Sequence, residues 1–396
     1  MFSLLYSFSK KNILICLICL LFSIELFTTI YLEYSSFNST RLVGFYKVAF
    51  LALILLFLKP KKTESTTLKT LLILSFLFSV NQFLISPIFN ENLKFNFLRG
   101  SIYYAYRFLY VFIFILVFST LKDYKKITLK VLKFIEYLLF FNAFLILMGF
   151  LWDINLLASY PNSSRYGSDG LFNKVNESTY LYIIYIASLY FNYLNYKKGL
   201  AKLIFIILIS FLIGTKTIIL FLVLLFMAHV FFAANTNKFL KFLMGLITII
   251  GIFFFNKIAE IYFKLIPFWN KVLENHDVTT LLFSKRDYLL KDNIEYINSN
   301  WGVLNFLIGG PYYSENFKIT QMDGPDLFLF FGVIGFLLYL FLFFKHYFIS
   351  NNLVYNLITL SILVCGLLSG GLFLSVMAMI YLYMLKVCLE KSSRHL

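Results

Sequence analysis

The chain has 396 residues, 60% of them hydrophobic and 14% charged, with a mean hydropathy of +0.82 and a formal net charge of +16. Soluble domains average about 45–50% apolar and about 25% charged residues, so this composition excludes a soluble protein and indicates an integral membrane protein. Its apolar segments run about 16–21 residues, the length of a membrane-crossing helix and not the alternating ten-residue pattern of a barrel. The predicted fold class is all-α and polytopic, with one transmembrane domain over residues 1–396.

In chain order, Lys10-Lys11 precede a long apolar run without a small-x-small cleavage site, which reads as an uncleaved first helix. Twelve spans are expected, at roughly 13–32, 42–58, 67–86, 101–119, 131–151, 178–195, 200–214, 216–234, 238–256, 325–344, 353–369 and 371–389. Gly214-Thr-Lys216 and Ser369-Gly-Gly371 each divide an apolar stretch too long for one straight crossing. The four cysteines, Cys16, Cys19, Cys365 and Cys388, all fall in apolar spans and read as small buried hydrophobes. Cys16-x-x-Cys19 has no second ligand pair nearby, so no metal or redox site is expected. Phe and Tyr are abundant throughout, which reflects overall residue usage and not a binding function.

Charge sets the expected topology. With the N-terminus inside, the cytoplasmic loops carry 20 basic residues against four acids, whereas the outer side has 15 basic against 14 acidic residues. The positive-inside rule therefore places both termini in the cytoplasm and the two long loops, about 152–177 and 257–324, outside. The basic balance is a topology signal and gives no support for a nucleic-acid partner. In the second loop, Leu265, Ile266 and Trp269 suggest interfacial helices with Pro267 as a break. Ser284 followed by Asp287 has capping-box spacing, predicting a helix start there. Gly309-Gly-Pro311 should end the structured part of this loop.

Arginine is distributed unlike lysine: Arg41, Arg99, Arg107, Arg165 and Arg286 are all external or at the outer membrane face. Orientation needs only a charge, but Arg adds a planar fork that binds phosphate bidentately. The alternative is pairing with external acids or lipid headgroups. Arg107 lies about a turn and a half into its expected span, where a cation costs roughly 2.5–3.5 kcal/mol at the helix centre. Lys216 sits at a tight turn between two spans. Arg165 to Glu177, with Gly167, Gly170 and Asn176, could form a polar floor for phosphate or sugar; the plainer reading is a turn with Asn176 or Ser178 as N-cap. Asp323 and Asp326 flank Gly-Pro just before a span. Either could favour the helix N-terminus electrostatically, or act as a general base on a sugar hydroxyl. His276 has no obvious partner, and Glu25 is the one carboxylate deep in a span.

On these residues the chain resembles the bacterial O-antigen polymerase and O-antigen ligase superfamily. The order of spans, with one long outer loop before the last three, is similar over nearly the whole chain. Four short motifs accompany it: Arg165-x-x-x-x-Gly170-Leu-Phe-x-x-x-Asn176; Gly214-Thr-Lys216, with Lys where Arg is usual; Ser284-Lys-Arg286 with Gly309-Gly310; and Asp323-Gly-Pro-Asp326 followed by Gly332-Val-Ile-Gly335. Ligases of the family carry a His at the end of the lid, and the acidic position here favours a polymerase.

The resemblance implies a GT-C-like, metal-independent glycosyltransferase of the bacterial plasma membrane, without cofactors. It would transfer a polyprenyl-diphosphate-linked glycan to a sugar hydroxyl of another lipid-linked repeat unit, inverting the anomeric centre. Asp323 or Asp326 would be the base, and Arg165, Arg286 and Lys216 would bind the diphosphate, with Arg99, Arg107 and Asn176 as further substrate contacts. Implied partners are the lipid-linked oligosaccharide, membrane lipids, and flippase and chain-length regulator proteins. Rival readings are a ligase passing finished glycan to a lipid or protein, and a flippase or secondary transporter. Transporters place ionisable groups near the midplane and show internal symmetry, neither of which is evident here.

Overall fold

The computed structural model describes residues 10–34, 40–57, 65–82, 95–121, 123–161, 165–172, 174–233, 267–310, 319–350 and 352–392, with scattered residues between 238 and 264. Among the described residues it is 83% helical with no strand, which makes its fold class all-α. The long helices are α1 (Lys10–Tyr34), α2 (Thr40–Phe57), α3 (Ser65–Val80), α4 (Phe95–Phe118), α5 (Tyr124–Leu151) and α6 (Val175–Tyr196). Two shorter ones follow, α7 (Leu200–Phe211) and α8 (Lys216–Ala228), the latter extended by a π turn over His229–Ala233. Four small helices form a lid: α9 (Pro267–Leu273), α10 (Val278–Phe283), α11 (Arg286–Asn300) and α12 (Val303–Ile308). The chain closes with α13 (Asp323–Tyr347), α14 (Leu353–Ser369) and α15 (Val376–Ser392).

Among the described residues, three helices are long and apolar enough to cross a membrane: Gly100–Phe118, Tyr124–Trp152 and Asp323–Tyr347. Six more apolar helices of 10–17 residues accompany them. At about 1.5 Å per residue, the 12 residues of α7 fall short of a roughly 30 Å hydrocarbon core. The expected span at 238–256 lies mostly outside the described residues, as do Leu265, Ile266 and Pro311.

The core gathers around α6 and α15. Every residue from Ser178 to Phe191 and from Val376 to Leu385 is buried, and a helix apolar on all faces belongs inside a bundle. Helix α15 packs against α4, α5, α6 and α13. Helix α5, by contrast, leaves Tyr137, Phe141, Phe144 and Leu151 exposed along one side.

The lid has its own small apolar core, Trp269 and Leu281 with Leu273, Val278 and Leu282 packed on them. Pro267 opens α9 instead of breaking a helix, consistent with its tolerance at a first helical position. The expected capping box at Ser284 is not formed. Ser284 and Lys285 both have left-handed backbone, φ 54° and 67°, and reverse the chain between α10 and α11. The helix therefore starts at Arg286, and the Asp287 carboxylate accepts instead from Thr280 Oγ1 at 2.6 Å, clasping the two lid helices together. Likewise α6 starts after Lys174, so neither Asn176 nor Ser178 is its N-cap.

Helix α13 is interrupted at Gly332, with φ 64° and ψ −171°, a conformation essentially confined to glycine. The break lets α12 lie directly on the helix backbone. It also frees the Leu329 carbonyl, which accepts from Gly310 N at 3.1 Å. A Cβ at Gly332 would collide with the Leu307–Ile308 backbone. Gly332→Ala should therefore destabilise the protein by at least about 1–3 kcal/mol, read as a lowered thermal midpoint in detergent. An unchanged midpoint would show that the lid does not depend on this break.

Candidate functional site

The site is built on the end of α14 at Ser369 and the non-helical turn from Gly370 to Ser375 that joins it to α15. Gly370 and Gly371, at φ 68° and 95°, let the chain reverse where a side chain would meet the Gln321 backbone and Asn176. The second span was expected from 371, but these residues spend their backbone groups on side chains from other helices. The Asp323 carboxylate on α13 accepts from Gly371 N at 2.7 Å and from Phe373 N at 2.8 Å. Arg107 on α4 donates to the Leu374 carbonyl at 2.8 Å. Glu177 on α6 accepts from the Ser375 hydroxyl at 2.7 Å, and that hydroxyl caps α15 by accepting from Ala378 N. The Tyr180 hydroxyl meets Ser369 Oγ at 2.6 Å, and Arg286 from the lid donates to the Ser369 carbonyl.

Several of these groups line a cavity of about 630 Å³. Its lining includes Tyr104, Arg107, Asn176, Glu177, Asp323 and Asp326, with Leu289 of the lid helix α11 closing one side. Asp323 and Asp326 are each 1% exposed, and their partners differ. Both oxygens of Asp323 are taken by the turn. Asp326 Oδ1 accepts from Thr320 N at 2.8 Å and Thr320 Oγ1 at 2.7 Å, whereas its Oδ2 is buried and accepts no hydrogen bond. A buried carboxylate oxygen left bare costs about 1–3 kcal/mol or more.

Beside the cavity lies a cluster of three cations. The loop carrying Arg165 is stapled to the α7–α8 turn by Ser168 N to Leu212 O at 2.7 Å and Ser159 Oγ to Ile213 O at 3.0 Å. Gly214, at φ 75°, packs against the Tyr166 carbonyl and permits this approach. Arg165 then donates to the Gly214 carbonyl at 3.1 Å, two residues before Lys216. Lys216 reaches the lid, donating to the Leu281 carbonyl and to Ser284 Oγ at 3.3 Å. Burial lowers the Arg165 pKa from its ordinary value, Tyr160 opposes this, and the nearby Arg286 charge adds to the lowering. Burial also lowers the Arg286 pKa, while Tyr180, Asp323, Tyr160 and Asp326 raise it. Crowded, part-buried cations of this kind favour an anion between them.

The structure thus brings Asp323, Asp326, Arg107 and Asn176 to one cavity, and Arg165, Lys216 and Arg286 to one adjacent cluster. Arg107 stands close to where it was expected: the apolar span begins at Gly100, which puts it about two turns in. The side chains of Arg41, Arg99 and Glu25 lie outside the described residues. His276 pairs with the Tyr288 hydroxyl at 3.4 Å, away from the cavity. Sequence reasoning missed Glu177, Tyr180 and Ser375. Glu177 beside a helix start was the available signal, since a carboxylate in an otherwise apolar span needs a partner. Among the described residues, no three His, Cys, Asp or Glu side chains are grouped to hold a metal ion.

No family model, curated protein or solved structure matches the chain.

The bonding predicts different costs for the two aspartates. Asp323→Asn turns one acceptor oxygen into a donor facing a backbone N–H, and should destabilise by about 1–3 kcal/mol. Asp326→Asn can keep an oxygen for Thr320 and place its amide at the bare position, so its cost should be smaller. Thermal unfolding of both variants in detergent checks this, and an equal loss for the two would contradict the assignment of the bare oxygen.

Proposed function

We propose that this protein is a membrane glycosyltransferase of the polysaccharide-polymerase type. It transfers a glycan from a polyprenyl diphosphate to a sugar hydroxyl of a second lipid-linked repeat unit. The observation carrying this reading is a cavity lined by a carboxylate with one bare oxygen, set beside a cluster of three cations. In the proposed reaction Asp326 takes the proton of the acceptor hydroxyl, whose oxygen attacks the anomeric carbon. The bond from that carbon to the diphosphate oxygen breaks with its electron pair leaving on the diphosphate, and the centre inverts. Arg165, Lys216 and Arg286 stabilise the charge gathering on the leaving group, the role in which fixed cations are most effective. Diphosphate leaves without a proton donor, so the single base suffices. Asp323, with both oxygens engaged, positions the turn and does not compete for the proton.

The same reading assigns the protein a twelve-span, GT-C-like architecture in the bacterial plasma membrane, with both termini cytoplasmic and the site on the outer face. It rests on the sequence resemblance and on the loop charges. The acidic residue at the start of α13 supports polymerase over ligase chemistry.

The test is deletion of the gene, complemented with wild type, Arg286→Ala or Asp326→Asn, followed by profiling of surface glycan. Deletion should reduce glycan to a single repeat per anchor. Asp326→Asn should lower polymerisation by about 10²–10⁴-fold, the usual contribution of a general base. Arg286→Ala should lower it by roughly 10²–10³-fold, as for removal of a charge-stabilising donor. Polymer of normal length in the deletion strain would overturn the proposal. Long lipid-linked polymer that is never attached would identify a ligase, and repeat units trapped in the inner leaflet a flippase.

A further inference from the structure

Three neighbouring cations repel one another, so something must hold them together before any anion arrives. Trp269, on α9, lies against two of the three cations and is only 8% exposed. Lys216 Nζ lies 3.7 Å from the centroid of its ring and Arg165 Cζ lies 5.0 Å away. Arg165 is covered from elsewhere by Tyr160, at 3.8 Å from that ring's centroid. All three distances are within the roughly 6 Å over which a ring face attracts a cation. The indole is itself fixed by the lid's apolar core against Leu281, the residue whose carbonyl accepts from Lys216. One aromatic side chain therefore touches both the loop cation and the α8 cation, and ties them to the lid.

We propose that Trp269 is a positioning residue for the cation cluster, holding Arg165 and Lys216 on its indole face until a diphosphate takes them over. This rests on the diphosphate reading of the cluster given above. The ring's negative face partly offsets the mutual repulsion of the cations without supplying a formal charge to compete with the ligand. A diphosphate, carrying full negative charges, draws the ammonium and guanidinium away from the ring, so binding changes the surroundings of the indole. Trp269 acts through the cations and does not touch the reacting atoms, so its loss should weaken donor binding more than it slows the chemical step.

The chain's other tryptophans are Trp152 and Trp301, and W152F/W301F leaves Trp269 as the only indole. The full-length protein in detergent would be titrated with inorganic pyrophosphate and with a radiolabelled short-chain polyprenyl diphosphate, the label measuring binding independently of fluorescence. The expected result is a saturable change in Trp269 emission that follows the labelled lipid. Trp269→Ala should raise the donor KM about tenfold and Trp269→Phe only about twofold, with kcat changed by less than about twofold in each. Where Trp269→Ala does not fold, Trp269→Phe and the emission titration carry the test. Lipid binding with flat emission, or a loss in kcat without a rise in KM, would overturn the positioning role while leaving the diphosphate site in place. Failure of the wild-type protein to bind the labelled lipid would instead overturn the diphosphate reading, and this inference with it.

Discussion

The constraint on which the site depends is the unsatisfied backbone of the turn between α14 and α15. Six residues, Gly370 to Ser375, lie outside helical structure at the end of an apolar bundle. In such surroundings each peptide group needs a partner, because an unmade hydrogen bond is expensive away from water. Asp323 and Arg107 supply partners from two different helices, Arg286 supplies one from the lid, and Glu177 holds the Ser375 hydroxyl. Charge-assisted bonds of this kind are about twice as strong as neutral ones. Packing α15 into the middle of the bundle thus requires ionised side chains to converge on one spot, and the cavity forms where they converge.

That origin explains why the candidate residues do not all have the same job. Most of the ionised groups around the cavity are occupied by structure: Asp323 by two amides, Arg107 by a carbonyl, Glu177 by a hydroxyl. Asp326 stands apart, since Thr320 satisfies one oxygen and leaves the other bare. A fold gains nothing in stability from such an atom, and burying it carries a cost that replacement by an apolar residue would remove. Its position on the cavity wall is the reason to assign it a reacting partner. Charge alone would not have separated it from Asp323, three residues earlier.

The broad architecture was legible in the sequence because span length and turn glycines act locally. Ser369-Gly-Gly371 ends a helix as expected, and Arg286 does open one. Gly332 was read only as part of a Gly-x-x-Gly helix, since nothing local distinguishes a packing glycine from one with positive φ. The Ser284–Asp287 spacing predicted a cap that tertiary contact overrode, because Thr280 claims the carboxylate. The identity of the central helices was also hidden. In segments apolar on every face, residues that meet lipid and residues that meet protein look alike, so α5 and α15 cannot be ranked by pattern. Glu177 and Tyr180 went unnoticed because their partners, Ser375 and Ser369, are nearly 200 positions away in sequence.

The cation cluster raises a separate question, namely how a protein keeps a strong field ready without neutralising it. Arg165, Lys216 and Arg286 each donate to a backbone carbonyl, of Gly214, Leu281 and Ser369 respectively. Two of them also lie on aromatic faces. Carbonyls and ring faces lower the energy of a cation while leaving its net charge, so the field at the cluster persists. They are also weaker partners than a doubly charged phosphate, and exchanging them for it releases little structure. Each of these partners belongs to a different segment: the α7–α8 turn, the lid hairpin and the α14–α15 turn. The three segments are therefore held in register by the same charges that would meet the ligand. Assembly of the lid on the bundle and assembly of the anion site are, on this geometry, one event.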